Sequence, residues 1–277
     1  MERPLVTICI PAYNSAPYIE KTVRAALAQT WPNLEVLVVD DRSTDNTVEV
    51  LHKIEDPKLR VIVNEENLGM TGNWGKCIQE ARGEYVKLIP ADDLVYPTCI
   101  EKTLPVLMKH PEVTLSICGT DLINEDDKVT GAYAHWPTAG VQDGVKVAKA
   151  SVMLNNFFGN PVCALFRKAD FERTGGFDPE ISYILDFDLW LGLASLGDVA
   201  FTKEKLSGFR VRSDSNTGMM IGSKRKAYTE EHKRLVIKHR NKGVIPINGL
   251  EQFLSVAWRA ARNWLILIYM KLCLMRA

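Results

Sequence analysis

Apolar residues in the first half of the chain fall into short runs that alternate with segments of helical periodicity. LVTICI (Leu5–Ile10), EVLVVDD (Glu35–Asp41), RVIVN (Arg60–Asn64) and EYVKLI (Glu84–Ile89) read as strands covered on both faces, because they lack the polar alternation of a half-exposed sheet. Helices fit between them: one with Ser15 as cap and Pro17 in its first turn, one starting at Ser43 or Thr44, and one from Thr71 to Arg82 that Gly83 ends. The alternation predicts an α/β fold, a Rossmann-like and mostly parallel sheet flanked by helices.

Beyond Cys118 the pattern loosens. GTDLINEDDKVTGAYAHWPTAG suggests a hairpin, GNPVCALFRKADFERTGGFDP a strand, helix and turn, ISYILDFDLWLGLASLG an amphipathic helix ended by Gly197, and VAFTKEKLSGFRVR two short extended runs. The tail is helical again, with a basic stretch over Lys224–Lys242 and a Trp- and Leu-rich helix over Leu250–Met275. The uninterrupted apolar part of that last helix, WLILIYM, is far shorter than the roughly 20 residues a membrane span needs. These shifts divide the 277 residues into a catalytic unit, 1–215, and a helical extension, 216–277; within the first, residues 1–118 and 119–215 form two halves.

Composition adds one feature. The formal net charge is zero, but residues 224–277 hold 12 Lys and Arg against 3 Asp and Glu, leaving 22 against 31 in the body. An acidic body speaks against nucleic acid as a partner, and a basic tail suits an anionic surface. Six scattered cysteines without metal spacing read as reduced core residues of a cytosolic protein, and the first apolar run reads as a strand and not a signal peptide.

In sheets of this kind ligands sit beyond the carboxyl ends of the strands, which here carry PAYN, DDRS and ADD. Asp92 and Asp93 are adjacent carboxylates at the end of a buried strand. They repel each other and are costly to desolvate, so something must offset their charge.

The motifs VTICIPAYN, EVLVVDDRSTDNT, NLGMTGNWGKCIQEARGEYVKLIPADD, FRKADFERTGGFDP and LDFDLWLGLASLG, in this order, resemble family 2 glycosyltransferases of the GT-A fold, over roughly residues 4–212. The resemblance implies an inverting transfer of sugar from a nucleoside diphosphate sugar, with a UDP-sugar as the expected donor, assisted by Mn2+ or Mg2+. It makes Asp93 the metal ligand and has Asp92 contact the donor ribose or the metal shell. Asp41 would read the base, Tyr13 would stack on it, and Pro11 and Ala12 would add backbone contacts. Asp186 would be the base that deprotonates the acceptor hydroxyl, its ionised form favoured at a helix N-terminus. Asp188 cannot share its face, two residues away on one helix. Asp188, Arg210 and Arg212 remain candidates for phosphate or acceptor contact, the arginines because they stand where the family carries an Arg-X-His element. The first carboxylate of the family's Asp-X-Asp triplet is absent, since Ala91 occupies its place, and Leu185 stands where a glutamate often precedes the base.

Structural alternatives exist for each acidic pair: Asp92 and Asp93 as caps of a helix opening near Pro97, Asp40 and Asp41 as turn formers, Asp186 and Asp188 as helix-start carboxylates. PAYN in place of G-x-G-x-x-G after the first strand speaks against a dinucleotide enzyme. A non-catalytic nucleotide-sugar or carbohydrate binder is the remaining rival. The expected acceptor is a saccharide or lipid-linked saccharide of bacterial surface polysaccharide assembly. The expected location is the cytoplasm, peripheral at the inner membrane face, where the basic residues with Trp258, Trp264 and Tyr269 would meet lipid. Packing of the tail on the catalytic unit, or on a second subunit in a homodimer, is the alternative.

Overall fold

The computed structural model describes residues 3–212 and 224–274, apart from the side chains of Arg225 and residues 263–274. Four strands form the parallel part of the sheet: β1 (Val6–Ala12), β2 (Leu34–Asp40), β3 (Leu59–Val63) and β4 (Tyr85–Leu88), in the order β3-β2-β1-β4. Every residue of β1 and β2 is buried, as their unbroken apolar runs require. Helices α1 (Ile19–Leu27), α2 (Thr47–His52) and α3 (Gly69–Glu80) join them.

The remaining strands extend the same ten-stranded sheet. The short β5 (Leu94–Val95) forms one edge of its main path, and α4 (Cys99–Lys109) follows it. β6 (Val113–Ile123) and β7 (Val129–Ala132) form the expected hairpin, and β8 (Gly140–Gln142) precedes α5 (Gly144–Met153). β9 (Ala164–Arg167) runs antiparallel to both β4 and β6, and α6 (Lys168–Thr174) and α7 (Leu185–Leu196) follow. β10 (Asp198–Arg210) lies parallel to β6 and antiparallel to β5 and β8. α8 (Arg225–Asn241) and α9 (Gly249–Leu274) complete the chain.

Several local expectations change. α2 begins at Thr47 and not at Ser43 or Thr44, because Ser43 donates through N and Oγ to Asp40 and the loop is held by side chains up to Asp45. α3 ends at Glu80; Gly83 serves close packing, since a Cβ there would lie 2.6 Å from the Thr7 nitrogen. α4 begins at Cys99 with no side-chain cap, so Asp92 and Asp93 do not cap it. β10 is one thirteen-residue strand with register shifts between Phe201 and Ser207 where two runs were expected. α7 is not amphipathic: eight of its twelve residues are buried, so it runs through the interior and is covered on most sides.

The basic helix α8 docks on the body. Leu235 and Val236 are buried, and the Glu231 carboxylate accepts from the backbone amides of Ser182 (3.0 Å) and Tyr183 (2.8 Å) just ahead of α7. The proposed boundary at 215/216 lies outside the described residues, as do the side chains of Trp264 and Tyr269. Among the described residues no helix is long and apolar enough to cross a membrane.

Candidate active site

An open cavity of about 690 Å³ lies at the rim where β1, β2 and β4 end. Pro11, Ala12 and Tyr13 line it from β1 and the loop behind it, and Tyr13 is half exposed. Asp41, the residue after β2, lines it too. Its Oδ1 accepts from Asn64 Nδ2 and from the Leu68 amide, both at 2.8 Å. Asn73 accepts from the same Asn64 amide group (3.0 Å) and donates to Val39 O (3.0 Å), fixing that support to β2. Asp40 does not reach the cavity: fully buried, it holds Ser43. One aspartate of the pair thus forms the turn and its neighbour faces the cavity.

At the end of β4 the two carboxylates also separate. Asp92 lines the cavity, whereas Asp93 has no exposed surface and lies behind that wall. Asp93 Oδ1 accepts from the Arg210 amide at 2.8 Å, and its Oδ2 is buried with no hydrogen-bond partner among the described residues. Burial, and then the neighbouring Asp92 charge, push the Asp93 pKa well above the ordinary carboxylate value. The expected metal ligand Asp93 thus lies behind the cavity surface, and Asp92 is the carboxylate that lines it.

Arg210 and Arg212 both line the cavity. The Arg210 guanidinium is 1% exposed and donates to Asp92 O (2.7 Å), Asn124 O (2.6 Å) and the Asp127 carboxylate, so it braces the loop. Arg212 lies 3.6 Å from Asp92 Oδ2, its guanidinium over the Tyr18 ring at 4.6 Å.

Asp186 lies in the first turn of α7 on the same cavity wall as Tyr183 and Leu185. Burial raises its pKa to about 6, against the pull of the Phe187 amide that donates to its Oδ1 at 2.8 Å. It still ionises at neutral pH, but less readily than its helix position alone suggests. Asp188 points the other way, as their spacing requires, and bonds His239 Nε2 and Lys238 Nζ, both at 2.7 Å. It does not line that cavity; it clamps α8. Asp178, from the GGFDP turn, holds the same lysine at 2.8 Å, so that turn anchors the tail and does not line the cavity.

Residues 7–175 match the description of glycosyl transferase family 2. The chain belongs to glycosyltransferase family 2. It is 31% identical over 217 residues to the putative teichuronic acid biosynthesis glycosyltransferase TuaG of Bacillus subtilis, a match that spans 77% of this chain and 81% of that one. It is 30% identical over 196 residues to the chondroitin synthase of Pasteurella multocida, covering 70% of this chain but 19% of that much longer enzyme. Among solved structures, S. aureus TarS 1-349 with UDP-GlcNAc superposes with a TM-score of 0.71 at 16% identity, over 94% of this chain and 72% of that one. The mannosyltransferase PcManGT of Pyrobaculum calidifontis, solved with GDP-Man and Mn2+, gives 0.61 at 20% identity over 95% and 70%. The fold is GT-A, and the protein is a glycosyltransferase enzyme.

This family 2 member has no preformed metal cage: among the described residues no three His, Cys, Asp or Glu side chains group to hold an ion. What it has is one carboxylate on the wall, Asp92, and an orphaned carboxylate oxygen on Asp93 directly behind. That set fits Mg2+ or Mn2+, which take few protein ligands and complete their shell with substrate phosphates and water. Sequence reasoning missed Asn64 and Asn73, which orient Asp41, and missed Tyr133, Tyr228, Arg259 and Arg262, which also line the cavity. The last three lie in the tail, where only their helical periodicity was visible.

The clamp on α8 predicts a stability effect. For Asp188, burial raises the pKa, but the His239 hydrogen bond and the charges of His239 and Lys238 outweigh it and leave the pKa below the ordinary value. Its contribution is present at neutral pH and is lost as pH falls through that lowered value. Asp188→Asn leaves Lys238 and the buried His239 short of their partner, which costs roughly 3 kcal/mol. Thermal unfolding at pH 7 should show a midpoint lowered by several degrees, and an unchanged midpoint contradicts the clamp.

Proposed function

We propose that this glycosyltransferase moves a sugar from a UDP-sugar to a hydroxyl of a saccharide or lipid-linked acceptor, by single displacement with inversion, in assembly of a bacterial surface polysaccharide. The observation that carries it is that Asp92 and Asp186, from β4 and α7, line one cavity. The surface-polymer role rests on relatives whose names carry teichuronic acid and chondroitin synthesis. The UDP assignment is supported by the TarS complex and by two residues that line the cavity, Asp41, whose carboxylate can accept the uracil N3–H, and Tyr13, whose ring can stack.

Asp41, fixed by Asn64 and the Leu68 amide, orients the base, and Tyr13 covers it. Arg212 contacts the diphosphate from the side of Asp92. A divalent cation on Asp92, when bound, neutralises charge on the departing diphosphate as a Lewis acid. Asp186 accepts the proton of the acceptor hydroxyl as its oxygen forms the new bond to the anomeric carbon, and the diphosphate leaves with the electron pair of the broken bond.

Incubation with a panel of UDP- and GDP-sugars and Mn2+ should show donor turnover with one UDP-sugar, and Mn2+-dependent UDP binding by calorimetry. Absence of both with every donor overturns the assignment. Peripheral membrane contact is supported by Leu250, Phe253, Leu254 and Trp258, which are exposed along one side of α9. Flotation with anionic phosphatidylglycerol vesicles should carry the protein and should fail for Phe253→Asp; equal flotation of both contradicts that contact.

A further inference from the structure

Arg259, on α9, has only 4% of its surface exposed, lines the cavity, and leaves Nη2 buried with no hydrogen-bond partner among the described residues. Arg262, one helical turn on, lines the same wall, and its pKa is lowered by burial and then by the Arg259 charge. Neither forms an ion pair with a carboxylate among the described residues. An arginine stays charged in proteins, and a buried cation without a counter-charge is among the costlier arrangements a fold can hold. Two of them at i and i+3 also repel each other.

The two neighbours that feel the charge of the pair, His232 and Tyr133, supply no negative charge. His232, beside Arg259, is neutral, because burial and the Arg259 charge lower its pKa to about 3. Tyr133 is raised by burial and stays a neutral phenol. An anionic group on a ligand in the cavity can supply the missing counter-charge. Tyr133, which lines the cavity with the pair, feels the charges of both Asp186 and Arg262, so it lies between the arginines and the proposed base. The diphosphate end of the cavity has its own cation, Arg212, next to Asp92.

We propose that the acceptor is anionic, and that Arg259 and Arg262 bind a phosphate or carboxylate on it while its hydroxyl reaches Asp186. This rests on the glycosyltransferase reading above and narrows its acceptor class. Bound to the full chain with saturating UDP and Mn2+, octyl glucuronide (a sugar carboxylate) or octyl phosphate (a lipid phosphate) should show at least about tenfold lower Kd than neutral octyl glucoside, the scale of one charge-assisted contact. The better of the two identifies the source of the charge. Arg259→Gln/Arg262→Gln should abolish that preference with UDP affinity unchanged, and Arg259→Lys/Arg262→Lys should keep part of it.

Because the pair is unpaired and self-repelling, the glutamine variant should unfold at no lower temperature than the parent, which separates lost binding from lost fold. Equal retention of all three probes, none included, overturns the proposal, as does a preference that survives in the glutamine variant. A fall in UDP affinity, or an arginine-dependent preference for UDP-glucuronate over UDP-glucose, would put the pair on the donor and equally overturn it. Failure of Mn2+-dependent UDP binding in the parent protein is a different result and strikes the functional assignment itself.

Discussion

Asp186→Asn should abolish sugar transfer while leaving metal-dependent nucleotide binding intact. The amide keeps the size and place of the side chain in α7 but cannot accept the hydroxyl proton, and a positioned base contributes about 10²–10⁴-fold. The loss should fall on kcat, since Asp41, Tyr13 and Asp92, on other elements, hold the donor. The wild-type rate should decline below about pH 6, where burial has placed the Asp186 pKa, and the variant's residual rate should lack that limb. Stability moves the opposite way. A carboxyl whose folded pKa lies above its unfolded value holds its proton more tightly when folded, so stability is greatest in acid and declines as pH rises towards 6. At pH 7 the asparagine variant should therefore be more stable than the parent, by about 1–3 kcal/mol, with the gain fading towards pH 4. A catalytic residue that weakens its own fold is expected; equal activity of parent and variant would remove Asp186 from the chemistry.

Asp92→Asn should reduce transfer by roughly 10²–10³-fold, the equivalent of several kcal/mol of lost charge stabilisation at the leaving group. It should also weaken UDP binding in the presence of Mn2+ while leaving metal-free UDP binding little changed, because the base contacts at Asp41 stay in place. In the parent enzyme, chelation of the metal should reproduce the defect and added Mn2+ should reverse it; in the variant neither treatment should matter. Asp93→Asn tells the two carboxylates apart. Its Oδ2 has no hydrogen-bond partner among the described residues and its Oδ1 accepts from the Arg210 amide, so the substitution should change stability more than metal affinity.

The sheet and its rim were legible because β1, β2 and β4 are buried on both faces and leave no ambiguity of register or side. Helical spacing told that Asp186 and Asp188 cannot share a face, and the family resemblance pointed to Asp186 and Asp41, both of which line the cavity. For Asp92 and Asp93 the answer depends on the Arg210 amide, 117 residues away, which claims Asp93 from β10. The Arg210 guanidinium likewise finds its partners, Asp92 O, Asn124 O and Asp127, far along the chain. Packing of the tail on the catalytic unit, one of its two readings, was hidden for a related reason. Its basic residues looked like a solvated or membrane-facing surface, but Lys238 and His239 find Asp188, and Arg259 finds the cavity; no local pattern announces a partner in another element.

The central claim is that the diphosphate lies at Asp92 and the reacting carbon faces Asp186 across one cavity. A crystal structure with Mn2+ and a non-hydrolysable UDP-sugar tests it most directly. The account predicts the metal on Asp92, uracil against Tyr13 and Asp41, and the face of the anomeric carbon opposite the diphosphate turned towards Asp186 with room for one hydroxyl between. A nucleotide bound with its diphosphate against Asp186, or outside this cavity, contradicts it.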